Sequence, residues 1–213
     1  MGMLGQVQGF VALGGPVVAI LLCLSVLAVA VALYKLWQFA ASGVGAHKRL
    51  RAGLDAWDAG DADAAHTALA DSRSHLAPLA RAALDGRGDA ALRTLLEAEA
   101  AMSFGTLERG FRLLDNIAQI APLLGLFGTV LGMIDAFQAL QAAGAAVDPA
   151  ILAGGIWVAL LTTAAGLAVA MPTALILAWF ESRMDRERDV AGLLLARAEA
   201  PLTGSSRDVP SRA

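Results

Sequence analysis

Residues 121–132 read Ala-Pro-Leu-Leu-Gly-Leu-Phe-Gly-Thr-Val-Leu-Gly, and residues 159–167 read Ala-Leu-Leu-Thr-Thr-Ala-Ala-Gly-Leu. Each lies inside a longer run that holds no Asp, Glu, Lys or Arg: residues 116–134 and residues 149–180. Uncharged runs of about 18 or more residues read as membrane-spanning helices. Glycines and hydroxyls fall near the middle of both. Small residues let helix backbones approach in lipid, and threonine can hydrogen-bond across the contact.

A third apolar run, residues 15–39, carries no charge before Lys35. The hydrophobic fraction of the 213 residues is 57%, against about 45–50% in soluble domains. The first run does not read as a cleaved leader. Residues 1–34 hold no Lys or Arg, and the stretch is longer than the roughly 7–15 residues of a leader's apolar core. Cys23 is the one cysteine, so no disulfide forms within the chain; it reads as a small residue facing lipid or a helix.

The net charge of −3 says little, but its distribution says more. Ten basic residues, from Lys35 to Arg112, fall between the first and second runs, and six, from Arg183 to Arg212, follow the third. Basic residues stay on the cytoplasmic side. That predicts an outer N-terminus, a cytoplasmic region between spans one and two, a short outer hairpin and an inner C-terminus. Trp37 and Trp179 then fall at the inner interface.

The predicted organisation is an all-α membrane protein. It has an outer segment 1–14, span one at 15–39, a cytoplasmic helical region at 40–112 and span two at 113–140. An outer turn at 141–149, span three at 150–180 and a cytoplasmic helix and disordered tail at 181–213 complete it. Ser42, Gly43 and Gly45 are read as loosening the chain after span one. Leu69, Leu76, Leu79, Ala80, Ala83 and Leu84 form a helical stripe, punctuated by Gly60, Pro78 and Gly86 to Gly88. Residues 92–140 read as one long helix that starts in the cytoplasm and enters the bilayer. Residues 149–180 are 32 in number, about 48 Å of helix, so span three should protrude inward as well. The mixed-sign tract 181–188 reads as a solvated helix. His47, His66 and His75 have no metal-ligand companion at useful spacing and read as surface or packing residues.

Taking 145 as the centre of the outer turn, Thr129 and Thr163 lie at depths that differ by two residues, about 3 Å. They can share a layer near mid-bilayer. Gly125, Gly128 and Gly132 run beside Thr129; Ala159, Gly166 and Ala170 run beside Thr163. Thr129, Thr162 and Thr163 therefore fit interhelical packing, and equally a polar path for ions. Pro122 and Pro172 are candidate hinges. Asp135 is the one carboxylate in the membrane part of the hairpin, and reads as a hydrated group near the outer mouth or as part of an ion path.

The stretches at 120–134 and 154–168, followed by Pro172, resemble the ExbB/TolQ/MotA family of proton-channel proteins, with the ExbB branch nearer than the four-span MotA. The resemblance is specific over residues 108–180. It implies a bacterial inner-membrane subunit that forms a ring, typically a pentamer, around single-span helices of an ExbD-like partner. The proton motive force drives this motor, and a TonB-like protein carries the work to the outer membrane. It also implies that Thr129 and Thr163 line the channel face opposite an aspartate on the partner helix. The family's glutamate before Ala-Leu-Leu is Val158 here, and Asp135, about three residues away in depth, is the nearest carboxylate. A TolQ-like motor for envelope integrity, or a non-conducting membrane scaffold, are the other readings. No nucleophile–base pair, metal cluster, phosphate-cradling loop or nucleic-acid patch points to an enzyme, a cofactor or a nucleic-acid partner; the glycine spacings are not preceded by a strand, as a nucleotide fingerprint requires.

Overall fold

The computed structural model describes residues 3–86, 88–143 and 149–199, with side chains left undescribed at 3–14, 143, 151 and 199. Among the described residues the structure is all-helical, with seven helices in order: α1 Met3–Ala41, α2 Lys48–Asp58, α3 Ala62–Ala70, α4 Ala77–Asp85, α5 Ala90–Leu107, α6 Phe111–Ala143 and α7 Pro149–Glu199. Among the described residues three helical stretches are long and apolar enough to cross a membrane: Gly15–Ala41, Phe111–Ala142 and Leu152–Ala198. Of the expected outer turn at 141–149, residues 144–148 lie outside the described residues, as does the chain from 200 onward, and 141–143 and 149 are helical. The chain divides into two compact units, Met1–Tyr34 with Gly110–Trp179, and Lys35–Arg109 with Phe180–Ala213.

The first unit is made of the apolar lengths of α1, α6 and α7. Its α1 is helical from Met3 but broken at Gly15, directly before Pro16. Both α6 and α7 stay helical through Pro122 and Pro172. Val17 and Leu21 of α1 pack with Ala121 of α6 and Ala170 of α7, and Leu124, Leu131, Ala165 and Val169 close around them. Most other large side chains of these helices, including Leu126, Phe127, Val130, Leu160 and Leu175, stay exposed, as lipid-facing or subunit-facing residues are.

The second unit is a bundle of short helices. The stripe of Leu69, Leu76, Leu79, Ala80, Ala83 and Leu84 is buried in it. Asp61 caps α3 by accepting from the backbone N–H of Ala64, and Asp89 caps α5 by accepting from Ala91 and Leu92. Asp and Ser at such positions satisfy backbone donors that the helix itself cannot.

Three sequence-based expectations are corrected. Residues 92–140 are not one helix: α5 ends at Leu107 and α6 begins at Phe111. The break falls at Gly110, whose φ of 95° is one that a helix cannot contain. Helix two therefore has no continuous extension, whereas α7 does run on to Glu199. The tract 181–188 is not simply solvated, because Met184 and Glu187 are buried with Phe180, Ala191 and Leu194 on one stripe. The segment around Ser42, Gly43 and Gly45 does not loosen the chain; it closes α1 tightly. The Val44 N–H donates to Phe39 O at 3.0 Å and the Gly43 N–H to Ala40 O at 3.3 Å, the paired bonds of a glycine-terminated helix end.

Lys35 is almost fully buried, at 2% exposure. Its ammonium donates to the carbonyl of Leu107, the last residue of α5, at 2.9 Å and to Gln38 Oε1 at 2.7 Å. A cation at a helix C-terminus satisfies carbonyls that have no intrahelical donor. Replacing it by methionine keeps the apolar stem and strands the carbonyl, at a cost of about 1–3 kcal/mol. Lys35→Met should lower the thermal midpoint of the purified chain in detergent, followed by circular dichroism; an unchanged midpoint means that the amine is not what holds the end of α5.

Candidate functional site

The polar layer of the first unit is built where α6 and α7 approach most closely. Glycine makes the approach possible. A Cβ on Gly125 would lie 2.9 Å from the carbonyl oxygen of Thr162 and 3.1 Å from Thr163 Cα. One on Gly166 would lie 2.5 Å from the carbonyl oxygen of Ala121, and one on Gly128 2.6 Å from Thr162 Oγ1. Further along, Gly132 faces Ala159, with the corresponding atom 3.2 Å from its Cβ. The contacting stripes are thus Ala121, Gly125, Gly128 and Gly132 on α6 against Ala159, Thr162, Gly166 and Ala170 on α7.

The three threonines of the layer have different surroundings. Thr162 is sealed in the contact at 2% exposure. Its hydroxyl reaches Ala159 O at 2.7 Å and, across the contact, Gly125 O at 3.2 Å. Thr163 is half-buried and donates to the same Gly125 carbonyl at 3.3 Å. Thr129, also half-buried, donates to Leu126 O of its own helix at 2.6 Å. A fourth hydroxyl, Thr173, went unnoticed in the sequence. It is buried and donates to Val169 O at 2.7 Å. Its position seven residues after Gly166 was the available signal, since i and i+7 share a helix face.

The α1 helix covers one flank of the pair through Leu124, Leu131, Ala165 and Val169. At about 100° per residue, Thr129 and Thr163 are turned about 120–160° away from those residues. Both therefore lie on the flank that α1 leaves open. The pairing of Gly128 with Thr162 and of Gly132 with Ala159 brings Thr129 and Thr163 within about 3 Å of one level. Val158, seven residues before Ala165, is turned to the α1 flank, as is Asp135, four residues after Leu131. Asp135 is exposed and Val158 half-buried. Neither shares a flank with the two half-buried threonines. Pro122 is half-buried and Pro172 exposed.

The chemistry of this layer is that of hydroxyls and carbonyls. It holds no acid or base among the described residues, so it can solvate and orient a proton-carrying group but cannot titrate. Among the described residues no group of three His, Cys, Asp or Glu could hold a metal ion.

The profile of the MotA/TolQ/ExbB proton channel family matches residues 62–191. The chain is 35% identical over 183 residues to the putative biopolymer transport protein ExbB-like 1 of Synechocystis, covering 83% of this chain and 71% of that one. It is 52% identical over 63 residues to the biopolymer transport protein exbB1 of Vibrio cholerae, covering 30% of this chain and 28% of that one. It is 43% identical over 67 residues to the Tol-Pal system protein TolQ of Haemophilus influenzae, covering 32% and 29% respectively. The aligned parts thus span under a third of the Vibrio and Haemophilus proteins. With three apolar helices, a tight glycine–threonine contact between the last two, and a family match that takes in both, the chain belongs to the MotA/TolQ/ExbB proton channel family.

Proposed function

We propose that the chain is an ExbB-like subunit of an inner-membrane motor driven by the proton motive force. With a single-span ExbD-like partner and a TonB-like protein it energises transport across the outer membrane. The observation that carries this reading is the pair of half-buried threonines at one level on the open flank of α6 and α7. A wall that is polar and acid-free has use for a titrating side chain supplied by another helix. Asp135 and Val158, on the other flank, add no acid to that wall. Several copies, a pentamer on the family pattern, would enclose the partner helix. The N-terminus would be periplasmic and the C-terminus cytoplasmic, in keeping with the basic residues after Lys35 and after Phe180.

The test is proton flux into liposomes that hold the chain and its partner. Thr129→Val and Thr163→Val should each lower flux at least tenfold. Each should shift the thermal midpoint little, since a threonine bond in a membrane contributes about 0.6 kcal/mol. Unchanged flux in both variants overturns the reading. A non-conducting scaffold is the second reading, favoured by Val158 where the family's glutamate would stand, and it requires background flux from the unaltered chain. The match to TolQ favours a sister role in envelope integrity, distinguished by which partner co-purifies, TonB-like or TolA-like.

A further inference from the structure

The second unit contains a buried carboxylate flanked by two half-buried imidazoles, a group that plays no part in the threonine layer. Glu187 of α7 is 1% exposed. Its Oε1 accepts from His47 Nε2 at 3.0 Å, and His75 Nδ1 lies 3.7 Å from its Oε2. His47 stands immediately before α2 and makes no capping bond with its side chain. His75 lies in the turn between α3 and α4, and its ring meets Phe104 of α5 edge-on at 6.1 Å. Both ring nitrogens of His75, Nδ1 of His47 and Oε2 of Glu187 are buried without a hydrogen-bond partner. Buried polar atoms left unpaired are uncommon and costly. Here they cluster around one carboxylate.

We propose that His47, Glu187 and His75 form a proton-binding site outside the membrane-spanning unit, which accepts one proton and is unlatched by a second. The charge count gives the reason. With both imidazoles neutral the site is an anion. With one added proton the group is neutral overall, the state cheapest to bury. A second proton, on His75, leaves a buried cation that the single carboxylate has already spent itself on. The turn holding His75 then gains by moving into water, and it loosens from α7 and α5.

The surrounding charges do not relieve that second proton. On α7, Arg183 adds positive charge beside His47, its guanidinium donating to Val44 O at 3.3 Å. Arg188 is bonded to Glu108, directly after α5, and to Asp185. On the α3–α4 turn, Asp71 is taken by Arg49 of α2 at 2.9 Å. Arg81 of α4 donates to Leu69 O at 2.7 Å. Lys48, Arg51 and Arg186 line the cleft beside His47 together with Asp55 and Asp189, and Asp55 is bonded to Arg197 at 3.0 Å.

Burial pushes the His75 imidazole below the ordinary histidine value of 6.5; Glu187 pulls it back up and His47 pushes it further down. A histidine lowered on folding contributes stability that is whole above 6.5. That stability falls away as the pH drops below this value, where the unfolded chain takes a proton that the folded one refuses. The latch is therefore closed at neutral pH and opens on acidification of the side that holds this unit.

Hydrogen–deuterium exchange of the full chain in nanodiscs, corrected for intrinsic rates, reads the opening directly. Between pH 7.5 and 5.5 the segments 71–76 and 183–190 of the unaltered protein should open severalfold more, up to the roughly tenfold that one proton on His75 can supply. His75→Phe, which retains the ring against Phe104, should abolish that pH response; His75→Gln serves if the phenylalanine variant does not fold. Glu187→Gln removes the carboxylate that favours protonation and should move the midpoint of opening to lower pH. A response that is the same with and without His75, or absent from the unaltered chain, overturns the proposal. None of these readouts depends on proton conduction through the membrane.

Discussion

Gly166→Val should abolish proton flux and lower the thermal midpoint further than either threonine replacement. The reason is backbone against backbone. A Cβ at 166 meets the carbonyl oxygen of Ala121 at 2.5 Å and Gly125 Cα at 3.1 Å, and neither can rotate away as a side-chain end could. The helices must separate. Separation also breaks the bonds from Thr162 and Thr163 to Gly125 O, which stand at 3.2 and 3.3 Å and have little length to spare. Overpacking costs about 1–3 kcal/mol and each lost hydroxyl bond about 0.6 kcal/mol, so a loss of about 2–4 kcal/mol is expected. Association of helices in lipid rests on close packing, with no hydrophobic force to compensate. Gly154 gives the control on the same helix, because a Cβ there meets nothing within 4 Å. Gly154→Val should leave flux and melting nearly unchanged. Equal behaviour of the two variants would mean that the α6–α7 approach is not what sustains the polar layer.

The parts of this molecule that could be read from sequence are those where a single large energy outweighs all others. Charge is so costly in lipid that its absence over residues 116–134 and 149–180 marks two helices without further information. The level of Thr129 and Thr163 follows from counting outward from 145 at a fixed rise, and the contacts of Gly128 with Thr162 and Gly132 with Ala159 sit within a residue of that count. What could not be read depends on competition between small energies. Gly110 interrupts a stretch of good helix formers, and a single glycine inside a helix costs only about 1 kcal/mol; sequence alone does not say whether the chain tolerates it or turns there. Glu187 was hidden by its neighbours. A tract of alternating Asp, Glu and Arg looks solvated, and the stripe of Phe180, Met184, Glu187, Ala191 and Leu194 emerges only once a partner surface exists to bury it. His47 and His75 are 28 residues apart and both far from Glu187 in the chain, so no local spacing could bring them together. The separation of Thr162, sealed in the contact, from Thr163, on its edge, was likewise out of reach, since adjacent residues on a helix differ by about 100° and the direction of the partner decides between them.

Gly43→Ala should be strongly destabilising, and comparison with Gly60→Ala separates the two reasons. Both glycines have left-handed backbones, with φ of 66° and 85°. Any residue with a Cβ is strained there by about 1–2 kcal/mol. At Gly60 that is all, because a Cβ meets nothing within 4 Å. At Gly43 the new carbon would run into the backbone carbonyl of Arg73, in the same turn that carries His75. Neither side can yield cheaply: Gly43 is held by the bond to Ala40 O, and the neighbouring Val44 N–H holds Phe39 O at 3.0 Å. Phe39 in turn packs edge-on against Phe180 at 5.3 Å. Adding about 1–3 kcal/mol of overpacking to the strain gives about 2–5 kcal/mol, a large share of the roughly 5–15 kcal/mol that holds a typical fold. Thermal and urea midpoints of the two variants in detergent check this. A Gly43→Ala midpoint far below that of Gly60→Ala means that the end of α1 is clamped against the α3–α4 turn. Matching midpoints would leave backbone strain as the whole effect and remove the clamp from the account of how His75 is held in place.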